Sequence, residues 1–237
     1  MTRAPLVALD TILELSSTAL TPFQMCPPPL FAEIIRINHI RLQAVKHVSQ
    51  PSKVEALTHE TYEILSRIHD FSSEQWANSK PRSKQDWAMV GDVYQTAVTL
   101  YCVSSLQSLS VLPTTPSLKA ECAAHAQLLH SSLTLAVARP RIKRFTLWPL
   151  VVLGVEAAQQ GRGAMRDFVA GQLPILSRDA GTHVPLTAKG VLERFWASGE
   201  TGWDSCFDQP YAFVMQIAVD TSGILRGSAS FRWRLGS

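Results

Sequence analysis

The segment FTLWPLVVLGVEAA, residues 145–158, limits this chain more than any other stretch. Leu147, Trp148, Leu150, Val151, Val152, Leu153 and Val155 follow one another closely and leave no polar stripe. A helix with that pattern has no solvated face, so it belongs in the middle of other helices. It falls well short of the roughly 20 apolar residues of a membrane span and contains Pro149, so no membrane association is expected.

The rest of the chain supplies the surrounding helices. Residues 5–19 carry Leu6, Leu9, Ile12, Leu13 and Leu15, a short helix that packing would have to hold. TPFQMCPPP then breaks the chain. Over residues 29–48, Phe31, Ile34, Ile35, Asn38, Leu42 and Val45 share one helical face, with Arg36 and Arg41 elsewhere. Pro29 suits the first turn, where its missing N–H costs nothing. Val54, Leu57, Thr61, Leu65 and Ile68 mark the next helix. Ser72 followed by Gln75 forms a capping box, and Ser83 followed by Asp86 repeats the signal more loosely. The longest helical run follows, over residues 87–109. Val90, Val93, Tyr94, Ala97, Val98, Tyr101 and Cys102 give it so broad an apolar surface that it should be central.

Residues 118–138 are helical again and stop at Arg139-Pro140. Beyond the apolar segment, a turn at residues 161–163 precedes a helix from Met165 to a stop at Gly181. Another helix spans residues 186–197, residues 203–207 form a loop, and Asp208 caps a final helix. No segment alternates polar and apolar residues long enough to demand a sheet. The expected fold class is all-α, an irregular multi-helix bundle. It forms one domain over residues 1–223, with a polar, basic tail over residues 224–237 that reads as disordered.

Composition narrows the function. Hydrophobic residues make up 46% and charged residues 17%, which suits a globular chain. A net charge of +3 gives no basic stripe, so no direct nucleic-acid contact is expected. Cys26, Cys102, Cys122 and Cys206 are scattered without a CxxC pair or a nearby Cys/His partner, which excludes the usual structural zinc pattern. His125 and His130 lie roughly 140° apart around a helix, poor for joint ligation. Neither a metal nor a cofactor is expected. The start lacks a charged region followed by an apolar run, so the chain is expected to be intracellular, with reduced, buried thiols. GxSxG, HExxH, P-loop and GxGxxG motifs are all missing, and GRGAMR reads as a surface turn. The basic run RPRIKR is either a solvated helix start or a nuclear address.

The candidate site residues are few. Glu156 ends the apolar helix, and a carboxylate buried there must be paired or shifted. Arg144 or Arg166 is the expected partner, and a structural ion pair is favoured over a catalytic or ligand-binding acid. Trp148, Trp196 and Trp203 are core residues or, alternatively, walls of an apolar pocket between helices.

Four stretches together carry a family resemblance: CPPPLFAEIIRINHIR, TAVTLYCVSSLQS, FTLWPLVVLGVEAA and VLERFWASGETGWDSCFDQPYAFVMQIAVD. They resemble the C-terminal, all-helical regulatory region of fungal-specific transcription factors, whose N-terminus carries a zinc binuclear cluster. The resemblance runs over residues 26–220. It implies an all-α regulatory domain, nuclear location, and control of metabolic or secondary-metabolite genes. The six-cysteine cluster is missing, so the chain is expected to be a fragment or a truncated relative without its own DNA-reading module. Its expected role is to bind a partner protein or a small apolar metabolite as effector, with a homodimer or a full-length transcription factor as candidate partners. The alternative is a cytoplasmic enzyme on the same scaffold, of cyclase or isomerase type, acting on a small apolar metabolite. There Glu156 would be the acid/base, with Tyr101 and the three tryptophans shaping the pocket.

Overall fold

Prolines mark where several helices begin. In the computed structural model, which describes residues 26–47, 50–80, 82–159 and 162–207, α1 (Pro28–His47), α2 (Pro51–His69) and α5 (Pro116–Val137) each start on a proline. The first turn has N–H groups without intrahelical partners, so proline removes nothing useful there. The same argument admits Pro149, third residue of α6 (Leu147–Glu156). The remaining helices are α3 (Ser73–Asn78), α4 (Lys84–Gln107), α7 (Gly163–Ala180), α8 (Val184–Ser198) and the single turn α9 (Trp203–Cys206), with a 3-10 turn at Lys143–Phe145. Among the described residues there is no strand, and the fold is all-α. α7 and α8 end at Gly181 and Gly199, whose positive φ angles of 64° and 75° are left-handed C-caps. The helix expected over residues 5–19, the final helix capped by Asp208 and the tail from residue 224 lie outside the described residues.

Three local expectations are corrected. Ser72 does cap α3, its hydroxyl accepting from the Gln75 amide at 3.2 Å. Ser83 does not cap α4: it takes a left-handed φ of 57°, and its hydroxyl accepts from Arg141 at 2.6 Å. Asp86 pairs with Arg139 at 2.8 Å instead of serving a capping box. Long-range arginines have claimed both groups. Residues 203–207 contain a helical turn, because Trp203 is buried and Arg41 grips Asp204. On α1, the buried side chains include Leu30, Ile34, Ile37, Ile40 and Ala44, while Val45 is 64% exposed. The face is rotated from the expected one because α1 packs on both α2 and α4.

The layers assemble around two helices. α4 packs against α1, α2, α3, α5, α6 and α9, as its broad apolar surface requires. α6 is enclosed by α4, α5, α7 and α8, and every residue from Trp148 to Glu156 is buried. Among the described residues, the buried apolar side chains other than Ala77 form one contiguous core from Cys26 to Cys206.

Two glycines permit close crossings. A Cβ at Gly91 would lie 2.6 Å from the Ser73 Cβ and 3.1 Å from its Cα, so α3 can cross α4 only over a bare backbone. A Cβ at Gly154 would lie 2.5 Å from Leu192 Cδ1, where α8 meets α6. Alanine in a helix normally gains about 1 kcal/mol over glycine. At Gly91 the overlap involves backbone and outweighs that gain. Gly91→Ala should destabilise the protein by about 1–3 kcal/mol, read as a lower urea midpoint at unchanged slope.

Candidate functional site

A helix buried on all sides must also bury its end, and its last carbonyls then need internal donors. The C-terminal end of α6 meets this need with side chains from later in the chain. The Trp196 indole N–H donates to the Gly154 carbonyl at 2.8 Å. Arg162 donates to the Glu156 carbonyl at 2.9 Å. Arg166 donates to the Ala157 and Ala158 carbonyls at 2.6 and 2.8 Å. The Leu153 and Val155 carbonyls are met by the amides of Ala157 and Ala158.

Glu156 belongs to this polar cap. It is 7% exposed, and its partner is Arg162, at 3.1 Å, not Arg144 or Arg166. Arg166 is committed to carbonyls at the same helix end, and Arg144 lies over the Phe145 ring. Ser104 of α4 donates its hydroxyl to the other Glu156 oxygen. Both carboxylate oxygens are therefore engaged. The sequence offered no route to Ser104, which lies 52 residues away, whereas Arg162 is only six residues on and was within reach of a spacing argument.

Three of the four aromatic candidates come together. The Tyr101 ring lies 5.9 Å from Trp148, edge-on, and 4.7 Å from Trp203. Tyr94, read from the sequence only as part of the apolar face, stacks on Trp148 at 5.8 Å and 13°. The Tyr101 hydroxyl donates to Asn38 of α1. Trp148, Tyr101 and Trp203 are all nearly inaccessible to solvent. Trp196 is not part of this cluster and serves the α6 cap.

A second buried carboxylate was not anticipated. Glu33 of α1 is 5% exposed and accepts a two-pronged grip from Arg67 of α2, at 3.1 and 3.2 Å, together with Arg36. Its place between Phe31 and Ile34, on the apolar face, was the available signal.

The basic run RPRIKR is folded into the surface. Arg139 pairs with Asp86, Arg141 binds the Ser83 hydroxyl, Lys143 pairs with Asp179, and Ile142 is buried. Those cations tie the segment after α5 to α4 and α7.

The surface formed by the described residues includes two hollows. One, of about 510 Å³, lies between α2, α4 and α5; the other, of about 500 Å³, lies beside Pro140, Lys143 and Leu176. Glu156, Tyr101, Trp148, Trp196 and Trp203 line neither. No helix among the described residues is long and apolar enough to cross a membrane.

Burial keeps the thiols of Cys26, Cys102 and Cys122 protonated. The Cys26 and Cys102 thiols and the Tyr94 phenol are pushed well up by desolvation, and Cys122 is pushed up to about 12, chiefly by burial and then by Glu156. Such thiols are poor nucleophiles and poor metal ligands at neutral pH.

Two predictions test these arrangements. Replacing Arg166 by Met strands the buried Ala157 and Ala158 carbonyls and should cost roughly 2–5 kcal/mol, whereas Trp196→Phe, stranding one carbonyl, should cost about 1–3 kcal/mol. Urea denaturation of the two variants checks the order. The pH dependence follows from the thiols and the phenol. The unfolded chain releases these protons from the ordinary thiol value of 9.0 upward, and the folded chain holds them further. Their contribution is full below pH 9.0 and is lost as pH rises toward about 12. The melting temperature should therefore fall between pH 8 and pH 10.5, and a flat profile would contradict the buried thiols.

Comparison with known proteins places the geometry in context. A family model described as the fungal specific transcription factor domain matches residues 4–216. The chain is 51% identical over 217 residues to the phomenoic acid biosynthesis cluster-specific transcriptional regulator of Leptosphaeria maculans. That match covers 92% of this chain and 41% of the relative, so the chain spans well under half of the relative's length. No solved structure matches significantly.

Proposed function

This chain belongs to the fungal specific transcription factor domain family, and from that premise we propose that it is a regulatory module that controls transcription by binding a partner protein or a small effector. Its site of action is the nucleus, and its targets are genes of a biosynthetic pathway, as the name of the Leptosphaeria relative suggests. The observation that carries the reading is the likeness to that regulator, 51% identity across 92% of this chain. It extends through the helices that build the core.

Two features of the folded chain support regulation by contact with something other than DNA. The net charge is only +3, and the cations at Arg139, Arg141 and Lys143 are spent on intramolecular partners. Electrostatic attachment to phosphates needs free lysines and arginines arranged along one face. The alternative of an enzyme draws no support from Glu156, whose oxygens are held by Ser104 and Arg162. A general acid or base must reach a substrate proton.

Fusing the chain to a bacterial repressor's DNA-binding domain, upstream of a reporter gene in a fungal host, tests the reading. The fusion should change reporter output relative to the DNA-binding domain alone, and Arg166→Met should abolish the change by loosening the core. A wild-type fusion that folds but leaves the reporter unchanged would contradict a regulatory role.

A further inference from the structure

We propose that the hollow between α2, α4 and α5 binds an uncharged, largely apolar small molecule that donates hydroxyl hydrogens to the wall. The inference rests on the effector-binding form of the proposed function and gives that effector a place and a chemical class.

The shape comes from the way three helices meet. α2 and α5 both pack on α4, and between them they leave a hollow over part of one α4 face. Gln95 and Thr99 are its partly exposed α4 residues, with Thr96, Leu100 and Val103 buried beneath them at helical spacing. The volume of about 510 Å³ falls within the range of small-molecule sites. Leu65 from α2 and Leu118 from α5 add apolar sides.

The polar groups that α4 adds to the wall are acceptors. Gln95 spends its amide N–H₂ on the carbonyls of Ile68, His69 and Phe71, at 2.7, 3.2 and 3.0 Å, so its Oε1 remains to accept. The Thr96 and Thr99 hydroxyls donate to the Asp92 and Gln95 carbonyls, both at 3.0 Å, and keep their lone pairs. Glu121 adds a carboxylate at the rim. Among the described residues neither lysine nor arginine lines the hollow, and His69 and His125 are the basic side chains in its wall. Cys122, held protonated to about 12, leaves its part of the wall neutral. An anionic ligand would lose its water and meet Glu121 without a permanent cation, which is costly. A hydroxyl-bearing apolar molecule would pair with the open acceptors and bury its body against Leu65 and Leu118.

Ligand-observed saturation-transfer NMR on the full chain at pH 7.5, with 1,2-decanediol and decanoate as matched probes, tests this. The diol should bind, and decanoate should bind at least about ten-fold more weakly, a difference of about 1.4 kcal/mol. Thr99→Trp fills the floor and should weaken diol binding by at least about ten-fold. If circular dichroism shows that this variant is unfolded, Cys122→Phe fills the opposite wall and should do the same. A diol that does not bind, that binds no better than decanoate, or that binds a folded filled variant as well as wild type overturns the proposal. The reporter fusion reads the other question. Diol binding with a silent reporter supports the site and defeats the regulatory reading, whereas a responsive reporter without diol binding defeats the site alone.

Discussion

The structure depends on how the buried end of α6 satisfies its own backbone. An apolar helix inserted among four others gains from burial on every face, but its terminal carbonyls lose water in the same step. The chain answers with Trp196, Arg162 and Arg166, each directed at a carbonyl of residues 154–158. These donors come from α8 and from the start of α7, so the cap also fixes where those elements dock. Gly154 completes the arrangement by letting Leu192 approach the backbone at the point where Trp196 reaches the carbonyl. Apolar burial and polar satisfaction are therefore met by the same contacts.

What could be seen in the sequence was whatever depends on local pattern. The apolar run at residues 147–155 required a buried helix, and the breadth of the Val90–Cys102 face required a central one; both are found. What stayed hidden were partnerships across long separations. Gly91 looks like an ordinary helix weakener until Ser73 is placed against it. Gln95 looks like a surface amide until the carbonyls at the end of α2 turn toward it. Ser83 and Asp86 carry a local capping signal that Arg141 and Arg139 override, because an arginine can pair more strongly than the local amide. Glu156 was correctly singled out as a carboxylate needing a partner, but the choice between nearby arginines depended on the path of the chain between α6 and α7.

The residues that carry the family likeness are mostly core residues here. Trp148 packs against Tyr94 and Tyr101, Trp203 against Tyr101, and Phe195 and Leu192 are buried on α8. The likeness therefore reflects a shared way of packing helices. The hollow proposed above is floored by α4 residues of TAVTLYCVSSLQS, a stretch that also carries the likeness. Its floor is rigid because Leu100 and Val103 also belong to the core.

Amide hydrogen exchange measured residue by residue tests the central position of α6 most directly. If α6 is the element on which the bundle closes, the amides of Leu150 to Val155 should exchange only when the whole protein unfolds, with protection equal to the global stability. Exchange of those amides through local opening, at lower protection than the amides of α2, would contradict it.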